Sequence, residues 1–191
     1  MVGMRPWILA LSLLACSSAS FAQVAEFAVS GGASRISSRD LGSGYSLRNG
    51  FLIAFRMTLN PQKYFGHEFG YAYNRTHLDL NGQDTGGMAI HQGLYHFLVY
   101  ATPEGKRVRP FVAGGIHFAN FVPPGASVAQ GGGETKFGVN YGAGIKVRVA
   151  EKFMIRFDAK QYLNGKPFQN VLSGSGKLKI NELSAGLAFV L

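Results

Sequence analysis

Between residues 135 and 162 the chain alternates with a period of two. Phe137, Val139, Tyr141, Ala143, Ile145, Val147 and Val149 occupy the odd positions, and Lys136, Gly138, Asn140, Gly142, Gly144, Lys146 and Arg148 the even ones. Side chains of an extended strand point alternately to its two faces, so this spacing predicts a strand with one apolar face. After a tight link at Ala150, Glu151 and Lys152, the alternation resumes. Phe153, Ile155, Phe157 and Ala159 now stand against Met154, Arg156, Asp158 and Lys160. Two long strands so closely joined predict an antiparallel hairpin.

The same pattern recurs along the chain. It predicts strands at about residues 25–35 (Phe27 and Val29 against Glu26, Ser30 and Gly32), 47–60 (Phe51, Ile53, Phe55, Met57 and Leu59 against Arg56 and its neighbours) and 63–77 (Phe65, Phe69, Tyr71 and Tyr73 against Glu68, Gly70 and Asn74). Residues 88–101 are apolar on both faces; Tyr95, Phe97 and Val99 are assigned outward. Residues 108–122 set Val112, Ile116 and Phe118 against Arg109, Ala113, Gly115 and His117, and residues 178–191 close the series. With the hairpin, that makes eight strands. Links after the second, fourth and sixth are short, at Pro61 and Gln62, at residues 102–107 and at 150–152; the other four read as longer loops rich in Gly, Ser, Asn and Asp.

Period alone fits two architectures. A soluble barrel turns its apolar band inward, whereas a membrane barrel turns it to lipid and fills or lines the lumen with the polar face. The glycine-rich, charged even face and the alternation of short and long links favour the second. The expectation is an all-β, eight-stranded antiparallel up-and-down transmembrane β-barrel, with three short periplasmic turns, four extracellular loops and both termini periplasmic.

Composition agrees with one such domain in 191 residues: 26 glycines and 15 phenylalanines accompany only 15% charged residues. The N-terminus combines Arg5, an apolar run from Trp7 to Ala15 and a small-x-small site at Ser20-Phe21-Ala22, which together predict a cleavable signal peptide over residues 1–22 and a barrel domain over 23–191. The apolar run is about half of the ~20 residues a spanning helix needs. Cys16, which a lipoprotein signal would acylate, is expected to leave with the leader, so the mature chain has no disulfide. It also has no Trp, which leaves Tyr and Phe to form any interfacial girdle. The formal charge of +9 falls by one, to +8, when Arg5 leaves. In an exported chain with no basic helix, this points away from nucleic acid and toward outer-membrane lipid and lipopolysaccharide phosphates.

Arg109-Pro110-Phe111-Val112-Ala113-Gly114-Gly115, then Tyr141-Gly142-Ala143-Gly144 leading a basic alternating strand, and the tail Ser184-Ala185-Gly186-Leu187-Ala188-Phe189-Val190-Leu191 together resemble the OmpA-like, opacity-type family of outer-membrane β-barrels. The resemblance covers essentially the whole mature chain. It implies a bacterial outer-membrane location, an eight-stranded barrel with a filled interior, and no single function. The tail is similar to the terminal signal read by the barrel insertion machinery, carried here by Gly186, Phe189 and Leu191, with Leu191 where Phe is usual. The sequence ends at its last strand, so no periplasmic peptidoglycan-binding domain is expected.

The inward faces collect Glu26, Arg56, Glu68, Lys146, Arg148, Arg156, Asp158 and Lys160 as a candidate lumen charge network. Charges in so narrow an interior must be paired or hydrated. Of the five histidines, His91 and His96 fall on opposite faces, and His67 points away from Glu68, so no metal-ligand pair forms at strand spacing. No His-x-Ser suggests a lipid A acylase or deacylase, and Ser173 and Ser175 lie in a glycine-rich loop remote from any histidine. Neither catalytic nor cofactor residues are expected. Asn74-Arg75-Thr76 is a chance sequon within a strand, and residues 122–134 form an exposed loop. The reading is a monomeric barrel with a structural or surface-interaction role and a plugged lumen. Its rivals are a narrow porin-like channel for small solutes, a lipid A modifying enzyme and a soluble barrel holding an apolar ligand.

Overall fold

The computed structural model describes residues 24–128 and 131–191, and the expected leader, with Arg5 and Cys16, lies outside them. Ten strands follow in order: β1 (Val24–Ser37), β2 (Asp40–Gly42), β3 (Tyr45–Leu47), β4 (Gly50–Asn60), β5 (Phe65–Leu80), β6 (Gln83–Tyr100), β7 (Val108–Val122), β8 (Glu134–Arg148), β9 (Phe153–Gly165) and β10 (Lys177–Val190). The eight long ones form a ring in which each pairs antiparallel with the next. The ring closes where β1 meets β10, with a register running from Glu26↔Val190 to Ser37↔Lys179. A closed ring leaves no unpaired strand edge, which lipid would not tolerate because it offers the backbone no hydrogen bonds.

The faces divide as the alternation requires. Phe27, Val29, Phe51, Phe55, Phe69, Ile116, Phe137, Leu183 and Leu187 stand exposed on the outer wall, while Glu26, Glu68, Arg156 and Lys146 are buried inside. On β6 the ambiguity resolves with Phe97 and Val99 outward and Leu94, His96 and Leu98 inward. Three short links, at residues 61–64, 101–107 and 149–152, share one end of the barrel with the start of β1 and the end of β10; we call it the turn end. The opposite, loop end carries β2 and β3 as a small hairpin, with β3 extending the sheet beside β5 through Tyr45↔Leu80 and Leu47↔Leu78.

One connection differs from expectation. The third link is not a long irregular loop: β5 and β6 continue past the wall as a tall hairpin that turns at Asn81 and Gly82 alone. Both residues have positive φ, 51° and 85°, as a two-residue turn of this hand demands. The segment's polar and glycine positions break the alternation, and a register shift between Leu78 and Asp79 breaks it further, so the turn chemistry rather than the period sets the pairing.

Candidate functional site

The lumen has two tiers. Toward the turn end, Arg156 on β9 reaches across the ring to Glu68 on β5, with Nη2 3.0 Å from Oε1, and donates to both oxygens of its neighbour Asp158 at 2.6 and 2.8 Å. Lys160 Nζ lies 3.1 Å from Glu68 and 3.2 Å from Asp158. Arg56 on β4 donates to Glu182 on β10 at 2.5 Å, and the Tyr162 hydroxyl donates to the other Glu182 oxygen at 2.7 Å. Lys146 donates to Glu26, and also to the Tyr100 hydroxyl at 3.0 Å. Arg109 sits 3.6 Å from Glu26 and 2.5 Å from Glu104, its guanidinium stacked 3.7 Å over the Tyr100 ring. Five bases therefore meet five carboxylates, and opposite walls are tied through the middle. Unpaired, any of these ions would cost several kcal/mol to bury.

Seven of the eight residues proposed for the network, Glu26, Arg56, Glu68, Lys146, Arg156, Asp158 and Lys160, come together in this tier. Arg148 stands apart at the rim of the turn end, donating to the Glu151 carbonyl at 2.6 Å with Glu104 3.8 Å away. Its register partner is Met154, whereas Lys146 is the residue beside Arg156. Sequence reasoning omitted Arg109, Glu182, Glu104, His96, Tyr100 and Tyr162. The first two were detectable by phase, since both alternate with outward apolar residues on their strands. His96 Nδ1 lies 3.2 Å from Glu68, and His117 bonds Asn164 within the lumen.

The second tier, toward the loop end, is apolar. Ile36, Leu78, Met88, Ile90, Phe121, Leu178 and Ile180 point inward, Leu41 and Leu47 fold over them from the β2–β3 hairpin, and Phe168 and Leu172 pack on from residues 166–176. No apolar layer of this kind was expected inside the barrel.

Beyond the wall, the β5–β6 hairpin carries its own charges. Arg48 bonds Asp79 at 2.7 Å, which raises the guanidinium pKa. Asp84 accepts from the Gly86 N–H at 2.8 Å and lies 2.7 Å from His77, and its pKa falls mainly through that backbone bond. On the outer wall, His67 meets the Tyr95 hydroxyl at 2.9 Å and His91 the Tyr71 hydroxyl at 2.6 Å, so ring nitrogens facing lipid find partners in the aromatic belt. Among the described residues no cluster of side chains is arranged to hold a metal ion. Of the terminal trio, Gly186 packs inward against β1, Phe189 faces outward with its ring 5.4 Å from that of Phe153, and Leu191 is exposed just past β10.

Solved structures share this architecture. Neisserial surface protein A is 14% identical, with a TM-score of 0.60 over 87% of this chain and 96% of its own. The outer membrane protein OprG from Pseudomonas aeruginosa is 12% identical, with a TM-score of 0.57 over 88% and 97%. Ail, the attachment invasion locus protein of Yersinia pestis, is 15% identical, with a TM-score of 0.56 over 88% and 99%. At such identities the likeness is one of fold. A comparison with curated protein sequences finds no match. The family description "outer membrane protein beta-barrel domain" matches residues 8–190, a span that includes the whole closed ring, and the chain is therefore an eight-stranded outer-membrane β-barrel of that family.

Proposed function

We propose that this chain is a plugged outer-membrane barrel with a structural or surface-interaction role, acting as a monomer. Its leader, residues 1–22, is removed on export, and residues 23–191 form the barrel. The loop end faces the cell exterior and the turn end the periplasm, because the short turns share one side with the start of β1 and the end of β10. Gly186, Phe189 and Leu191 present the tail to the insertion machinery. The observation that carries the plugged lumen is the stacking of a cross-linked charge tier beneath an apolar tier. Glu68 and Arg156 side chains are 0% exposed, as is Leu41 above them. Eight strands leave an interior only about wide enough for side chains.

One observation favours the narrow-channel reading instead. Arg56 Nε and Nη1, Arg109 Nε, Asn60 Oδ1, Asn140 Oδ1 and His96 Nε2 are buried without hydrogen-bond partners among the described residues. Such atoms are natural positions for water. Planar-bilayer recording decides between the two: a plugged barrel gives no stable unitary steps, and reproducible steps from purified protein would establish the channel.

A further inference from the structure

The outer wall of β1, β10, β9 and β8 carries a connected band of polar side chains. A single row runs across it at right angles to the strands: Arg35 opposite Asn181, Asn181 opposite Gln161, and Gln161 opposite Tyr141. These outward-facing side chains are linked to one another. Tyr141 donates to Gln161 at 2.5 Å, Gln161 to Asn181 at 2.6 Å, and Asn181 to the Ser37 hydroxyl at 3.2 Å. A groove of about 520 Å³ follows this row and is lined by Arg35, Ser37, Tyr141, Gln161 and Asn181.

Directly toward the turn end lies a second groove of about 700 Å³, floored by Gly31, Ala143, Ala159 and Ala185 and walled by Leu183, Phe157 and Ile145. Small residues on adjacent strands leave a trough there, with bulky apolar side chains on either side. Toward the loop end the surface turns basic. Lys179 opposes Ser37 and is the diagonal neighbour of Arg35, with Lys177 beyond it on β10, all three exposed. Among the described residues, the ion pairs of the loop end join Arg48 to Asp79 and Asp84, His77 to Asp84, and Lys136 to Glu134, and none includes Arg35, Lys177 or Lys179.

From the loop end downward the wall therefore offers unpaired cations, then amide and hydroxyl groups, then an apolar trough. We infer that this face holds one outer-leaflet lipid whose headgroup carries phosphate: the phosphate lies against Arg35 and Lys179, the polar row bonds the headgroup, and an acyl chain lies in the trough. Charge selects the occupant. A second copy of the chain would bring the same uncompensated cations to a two-fold contact, whereas an anionic headgroup neutralises them and leaves the trough to the hydrocarbon. The placement in the outer leaflet rests on the proposed orientation; the chemistry of the site does not.

The test is native mass spectrometry of the full-length mature protein in detergent, titrated with a purified phosphorylated, acylated glycolipid and with its enzymatically dephosphorylated form. The expected result is one tightly held phosphorylated lipid per barrel. Arg35→Gln with Lys179→Gln should lower its retention at least about tenfold, near the effect of losing two surface phosphate contacts. Lys106→Gln with Lys152→Gln, at the turn end, should leave it unchanged. Filling the trough by Ala159→Phe should also displace the lipid while heat-modifiable migration shows the barrel folded. Equal retention by the charge variant, equal binding of the dephosphorylated form, or a lipid-free dimer would each overturn the site. Orientation is checked separately, by thiol labelling of the Gly82→Cys variant on whole cells. Failure there moves the site to the other leaflet without touching the binding result.

Discussion

Glu68 is where the residue scale matters most. It accepts from Thr58 at 3.0 Å and from Arg156 and Lys160, so one carboxylate compensates two cations. Glu68→Gln should destabilise the barrel by about 3–5 kcal/mol in a urea titration in lipid vesicles, because it leaves buried positive charge uncompensated. Adding Lys160→Met should cost less than the sum of the two single changes, and strict additivity would show that the pair does not interact. Ile145, on the outer face, is the complementary case: Ile145→Arg should cost about 2–4 kcal/mol near the bilayer midplane, read by the same titration. The inward set was legible because one phase of alternation runs through each long strand. Partner choice was not, since Arg56 finds Glu182 two strands away around the ring and Arg156 finds Glu68 four strands away, distances that no spacing along the chain encodes.

Among the elements, the β5–β6 hairpin extends past the ring, flanked by β3 as far as Leu80. Its tip rests on Asn81-Gly82 and on the bonds of Asp84 rather than on a core. Asp84 has a depressed pKa in the folded state, so the order it confers is fully present above the unfolded carboxylate value of about 4 and is lost as pH falls through the lower folded one. The protection factor of the Gly86 amide in detergent-solubilised protein, taken relative to the intrinsic exchange rate at each pH, should therefore fall on acidification below about pH 4 while the barrel strands stay protected. Unchanged protection at Gly86 would show that its N–H does not depend on the carboxylate. The Asn-Gly pair was a readable turn signal, but polar residues on both flanks gave no period to set beside it. The long strands, with period two over a dozen residues, left little room for error.

For the whole molecule, the proposed plug amounts to two seals in series. Opening the charge tier with Glu68→Gln and Arg156→Gln together should leave bilayer conductance near baseline, because the apolar layer still excludes water. Adding Leu178→Ser and Ile180→Ser should admit ions. Current from the first pair alone would show that the apolar layer is no seal. That layer escaped the sequence reading because Ile36, Leu178 and Ile180 lie near strand ends, and Met88 and Ile90 in a segment apolar on both faces, where an inward apolar residue breaks no pattern. The closing register of β1 on β10 has a further consequence, in time rather than space. Among the eight long strands every other pairing joins one to the next along the chain, but this one joins Glu26 to Val190 and must wait for the whole sequence. Until it forms, β1 and β10 are bare edges open to pairing with other chains. The β1–β10 seam is thus the last step of assembly and its most vulnerable one. A lipid gripping Arg35 on one side and Lys179 on the other would bind only the finished ring, acting as a latch that slows reopening.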